Sequence, residues 1–184
     1  SDPFEFMETK NEKRLLDLTL KDLNLKINNK LCLHYNFDNC YYFKIIIKNI
    51  IKEDNLDNIK YFEVLSGKGY GITDDKYTFL LSSILMDTRK NINKYYPKNI
   101  LEFSKKTFDL EENNNRIKEY IDYKKDLLQP KSYIFNISLE GFNKDITRKI
   151  CVNSNISVDS FCKKVITSMN GDLSHSFGLK INKK

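Results

Sequence analysis

Asp172-Leu173-Ser174-His175 is where acid–base chemistry would first be sought in this sequence. An imidazole oriented by a nearby carboxylate can take a proton from a substrate, which makes a hydrolase using His175 one reading. The competing reading is a turn, because Asp and Ser side chains in such loops bond their own backbone, and the short spacing favours it. His34 stands beside Tyr35 in an apolar, alternating run and reads as a packed or surface residue. Gly67-Lys68-Gly69-Tyr70-Gly71 invites a phosphate-loop reading, yet it has neither the GxxxxGK[ST] nor the GxGxxG spacing and leads into Ile72-Thr73-Asp74-Asp75, a helix N-cap. It therefore reads as a glycine-rich turn. Cys32, Cys40, Cys151 and Cys162 form no CxxC pair, so reduced thiols are expected, with neither a metal site nor a cofactor.

Charge offers a different chemistry. The 184 residues carry 31 Lys and Arg against 25 Asp and Glu, a formal net charge of +6. That excess suits a nucleic acid, a nucleoprotein or another acidic partner. Only Arg14, Arg89, Arg116 and Arg148 are arginines, so bidentate base or phosphate contacts are few. A solvated face of lysines is the plainer alternative, since Lys, Asn, Ile, Tyr and Phe abound while Ala and Trp are absent. If the charge is used, Arg148 and Lys149 on one strand are expected to converge with Lys163 and Lys164 on the next helix, with His175 nearby.

The elements that must position these residues follow from periodicity. Residues 18–25 suggest a short extended piece and a helical corner. Residues 30–37 alternate Leu31, Leu33, Tyr35 and Phe37, and 41–51 are rich in aromatic and β-branched residues, so the two predict an antiparallel hairpin. Residues 59–66 predict a third strand. A helix is expected after Thr73 or Asp74, another near Ile92, and a third in 103–128, capped by Asp109 with Leu110, Ile117 and Ile121 inward. After Gln129-Pro130, the run 132–142 alternates Tyr133, Phe135, Ile137 and Leu139, and 146–152 is again a strand. Ser157 or Asp159 caps an amphipathic helix carrying Val158, Phe161, Cys162, Val165, Ile166 and Met169, and 177–182 closes the chain as a strand. Grouped rather than alternating elements predict an α+β fold, a largely antiparallel sheet with helices packed on it.

Two segments carry a family likeness. Gly141-Phe-Asn-Lys-Asp-Ile146-Thr147-Arg148, with Gly171-Asp172-Leu-Ser174-His175 after the helix, resembles the amino-terminal half of the plasmid pRiA4b ORF-3-like family, the IS1096 passenger protein-like domain. Leu18–Leu23, Tyr35-Asn-Phe37-Asp-Asn39-Cys40-Tyr41 and Phe108-Asp109-Leu-Glu-Glu112-Asn113 resemble its carboxy-terminal half. The halves stand in reversed order, so the resemblance implies a circular permutation of one domain over 18–182. In that arrangement 18–121 is equivalent to the family's second half, 122–132 is the joint and 133–182 is equivalent to its first half. Residues 1–6 look like a cloning remnant and 7–17 like an arm. Thr147 and Gly171 replace the family's tryptophans, and Phe177 its second histidine.

The resemblance implies no established chemistry, so a non-enzymatic binding module of a mobile genetic element is expected, contacting nucleic acid or a nucleoprotein partner. The alternative is an anti-CRISPR-like inhibitor of a host defence nuclease, acting by protein–protein binding. The absence of a long apolar run suggests a cytoplasmic protein without membrane contact. A hinge at 122–132 between complementary halves would also permit a domain-swapped homodimer.

Overall fold

A computed structural model describes residues 18–37, 41–53, 55, 60–72, 108–119, 130–142 and 144–182. The helices expected after Thr73 and near Ile92, Ile121, Cys40 and the joint at 122–132 lie outside the described residues. The strands are β1 (Lys30–Tyr35), β2 (Tyr41–Lys52), β3 (Phe62–Lys68), β4 (Lys131–Leu139), β5 (Thr147–Asn153) and β6 (Phe177–Asn182). Two helices accompany them, α1 (Leu110–Glu119) and α2 (Val158–Ser168), with a 3₁₀ turn at Leu20–Leu23.

The six strands form one sheet in the order β3-β5-β4-β2-β1-β6, and every neighbouring pair is antiparallel. The fold is α+β. Strands from the two ends of the chain interleave: β4 and β5 stand between β2 and β3, and β6 flanks β1. Alternation puts Leu31, Leu33, Tyr35, Phe43, Ile45, Ile47, Tyr133, Phe135 and Ile137 on one face, all buried. Against that face lies α2, whose Phe161 ring is 5.1 Å from Phe135. Ser157 caps α2 by accepting from the Ser160 N–H at 3.1 Å.

At the β3 edge, α1 replaces a missing strand. The Asn114 side chain accepts from the Val64 N–H and donates to the Val64 carbonyl, both at 2.9 Å, satisfying a ladder position that would otherwise stay open. Asp109 caps the helix through the Glu112 N–H at 2.7 Å. Ile117 is buried as its spacing predicts, but Leu110 is 42% exposed. The first turn of α1 stands clear of the sheet because its core contacts begin at Asn113, which donates to the Ser168 carbonyl at 2.9 Å.

β3 begins later than the apolar pattern suggests and takes in Gly67 and Lys68. A β-carbon at Gly67 would lie 2.9 Å from Arg148 Cδ, Phe108 Cε2 and the Thr147 carbonyl. Gly67 is thus needed for a close approach of side chains rather than for a phosphate. At Gly171, where the resembling family has tryptophan, a β-carbon would collide with Ile166 Cγ2, so this core has no room for that side chain.

Candidate nucleic-acid interface

The five residues proposed from sequence do not converge. Arg148 and Lys149 are consecutive on β5, so their side chains leave opposite faces of the sheet. Arg148 points into the core and is 1% exposed. Its Nε donates to the Ser168 carbonyl at 2.7 Å. Nη1 donates to the carbonyls of Lys68, Gly69 and Thr147 at 2.9, 3.0 and 2.8 Å, and Nη2 to that of Tyr70 at 2.6 Å. The guanidinium also lies 4.5 Å from the centre of the Phe108 ring. Burial pulls its pKa down to about 10, with a smaller push from Arg116. Arg148 is therefore an internal clip joining β5, the end of β3 and the end of α2, with each of its three nitrogens bonded to a backbone carbonyl.

Lys164 is buried too, 3% exposed, with its ammonium 6.0 Å from the Phe62 ring. Lys163 is exposed but lies on α2, on the far side of the sheet from Lys149, and pairs with Asp159 at 2.8 Å. His175 is half-buried, its ring edge-on to Tyr35 at 5.9 Å. In the same loop, Asp172 Oδ1 accepts from the Ser174 N–H at 2.8 Å and from the Tyr35 hydroxyl at 3.3 Å. The Ser174 bond is that of a locally bonded turn, and the Tyr35 bond ties that turn to β1. Of the proposed cluster, only Lys149 stands on the face opposite the helix.

That face holds what the sequence did not disclose. Cross-strand partners share a face, so the register lays out its side chains in rows. One row reads Lys68, Thr147, Ser138, Lys44, Cys32, Lys180 across all six strands. The next reads Ser66, Lys149, Asn136, Ile46, Lys30, Asn182. The two rows hold five lysines and no acid. Each row crosses five strand spacings, about 24 Å.

A sixth lysine joins them at an irregularity. The β2–β4 register shifts between Ile47 and Asn49, leaving Lys48 as the bulged residue, and β3 shifts likewise at Leu65. Bulges bend their strands, and the groove between these two has a volume of about 520 Å³. Its walls include Lys44, Lys48 and Lys149 with Ser66, Asn136 and Thr147. Acids stand at the borders: Asp145 reaches Lys68 at 3.4 Å, and Glu63 lies opposite Cys151 in a neighbouring row.

Beyond the lysine rows, Tyr42 and His34 are cross-strand partners, their rings stacked at 4.3 Å and 16°. Phe37 meets His34 edge-on at 4.3 Å and 76°. Burial lowers the His34 pKa from its ordinary 6.5. The unfolded chain then binds this proton more readily than the folded one, so the contribution is complete above about pH 6.5 and is lost as pH falls below it. The unfolding temperature should drop between about pH 7.5 and pH 5.5, and by less in a His34→Phe protein. Parallel pH profiles for the two would remove His34 as the cause.

Cys32 and Cys151 also lie on the open face, and burial raises both thiol pKa values, as it does more strongly for Cys162. Raised values disfavour the thiolate, so these cysteines are poor nucleophiles at neutral pH. Among the described residues no helix is long and apolar enough to cross a membrane. Compared with protein-family models, curated proteins and solved structures, the chain finds no significant match to any.

Proposed function

We propose that this chain is a non-catalytic nucleic-acid-binding module that receives the sugar–phosphate backbone on the open face of its sheet. The observation carrying the reading is the pair of cross-sheet rows with five lysines and no acid, joined by Lys48 at the bulge. Ammonium groups neutralise phosphates as point charges, and the interleaved Ser66, Asn136, Ser138 and Thr147 are suited to bonding phosphate or sugar oxygens. Among the described residues no arginine side chain stands on this face, so the contacts position a chain without reading bases, and binding should tolerate sequence changes. The resemblance to pRiA4b ORF-3-like proteins suggests a mobile genetic element as the setting.

The test is binding of a labelled oligonucleotide at several salt concentrations. Each phosphate neutralised contributes a slope of roughly −0.7 to −0.9 in log affinity against log salt. A Lys44→Glu, Lys149→Glu protein should bind about 30-fold more weakly, taking about 1 kcal/mol per lost contact in water. Its salt slope should be shallower by roughly 1.4 to 1.8. Lys163→Glu, on the opposite side of the sheet, should leave affinity nearly unchanged. No binding by the parent chain, or equal damage from Lys163→Glu, would overturn the reading and favour an acidic protein surface as the partner.

A further inference from the structure

We infer that the nucleic acid held on this face is single-stranded, with one base stacked on the exposed Phe37 ring, which buried His34 and half-buried Tyr42 support beside the lysine rows. The inference rests on the binding reading above and adds the class of ligand. Tyr42, His34 and Gly178 form the third row of the open face. They lie two residues from Lys44, Cys32 and Lys180 on their respective strands, which places the rows about 6.8 Å apart. A chain whose phosphates follow the lysines can therefore turn a base toward the rings.

The platform is that ring held in place by packing. Tyr42 supports His34 face to face, and His34 supports Phe37 edge-on. Gly178 leaves space on the neighbouring strand, where even a β-carbon would only touch Phe37 Cζ at 3.7 Å. Phe37 keeps 43% of its surface exposed, and among the described residues no other aromatic ring is as open.

Charge assigns the two parts of the ligand. Lysines lie in the first two rows, whereas Glu140 follows the end of β4 and donates its N–H to the Tyr42 carbonyl at 2.8 Å. A carboxylate at this end repels phosphate but tolerates a neutral base. A duplex keeps its base faces stacked inside, so it can use the lysines but not the rings. A single strand can use both, because every base offers a π-face.

The decisive comparison uses the full chain with a labelled single-stranded DNA 15-mer, the matching RNA 15-mer and the DNA duplex at one salt concentration. The parent should favour the single strands. Phe37→Ala should weaken single-strand binding by at least about fivefold and leave duplex binding unchanged. Phe37→Tyr should keep the parent's preference, and unchanged melting temperatures would show that both variants are folded. The two single-stranded arms identify the sugar. Equal loss on single strand and duplex, or no loss on either, would overturn the platform while the lysine face stood. Absence of binding by the parent would instead remove the underlying reading.

Discussion

A chain ending at Gln129 should lose its cooperative unfolding transition altogether. Residues 130–184 provide β4, β5, α2 and β6, and these elements are not an appendage. Among the described strands β3 has β5 as its one neighbour, and β2 meets the rest of the sheet through β4 along Phe43–Lys52. Without them β3 has no neighbouring strand among those described, β2 is a bare edge, and Phe43, Ile45 and Ile47 lose the helix that covers them. A two-stranded hairpin is marginal alone in water, so the remaining strands cannot sustain a fold. Thermal and denaturant unfolding followed by two probes would read this: the full chain should give coincident sharp transitions, the shortened one a broad drift. Adding residues 130–184 as a separate polypeptide should restore the transition. A sharp transition in residues 7–129 alone would show instead that the first half is an independent domain.

The second large effect is expected from Arg148→Met. Methionine fills similar volume but removes the guanidinium from five backbone carbonyls, of which Ser168 keeps the Asn113 donor and Tyr70 the Asn170 donor while Lys68, Gly69 and Thr147 lose this partner. Buried groups left unpaired are penalised more than their lost bonds suggest, so the change should destabilise the protein by about 3–5 kcal/mol. For a chain of this length that is a fall of roughly 10 °C in melting temperature. Arg148→Lys should recover only part, because an ammonium lacks the planar fork that reaches carbonyls on three segments. A denaturation midpoint for Arg148→Met within about 0.5 kcal/mol of the parent would mean that those carbonyls rehydrate, and that the clip does not hold β3 to α2. The sign matters for function as well. Loss of Arg148 should act through folding, whereas loss of Lys149, its neighbour, should act through binding alone.

Segments distant in the chain also meet around this arginine. Phe108 stacks on Arg148, and Asn113 and Arg148 donate to the same Ser168 carbonyl. Their meeting depends on a separation of about forty residues that periodicity does not bridge.

Local pattern by itself determined most of the strands and their inward faces, but Phe37, which alternation groups with Leu31, Leu33 and Tyr35, lies past the end of β1 and is exposed. Alternation at 41–47 and 133–139 and the spacing of Val158, Phe161, Val165 and Ile166 name the core, because a side chain's face depends only on its place in its own strand or helix. The cap at Asp109 was legible from its local sequence, and Ser157 was one of the two candidates, with Asp159, for the cap of α2. Alternation also separates Arg148 from Lys149 within β5, a constraint that grouping them as one patch overlooked. Only tertiary structure decided which cations face solvent together. Lys30, Lys44, Lys68, Lys149 and Lys180 come from five strands, and strand order, register and two bulges bring them onto one surface. Those are properties of pairing between distant segments, and no single segment encodes its neighbour.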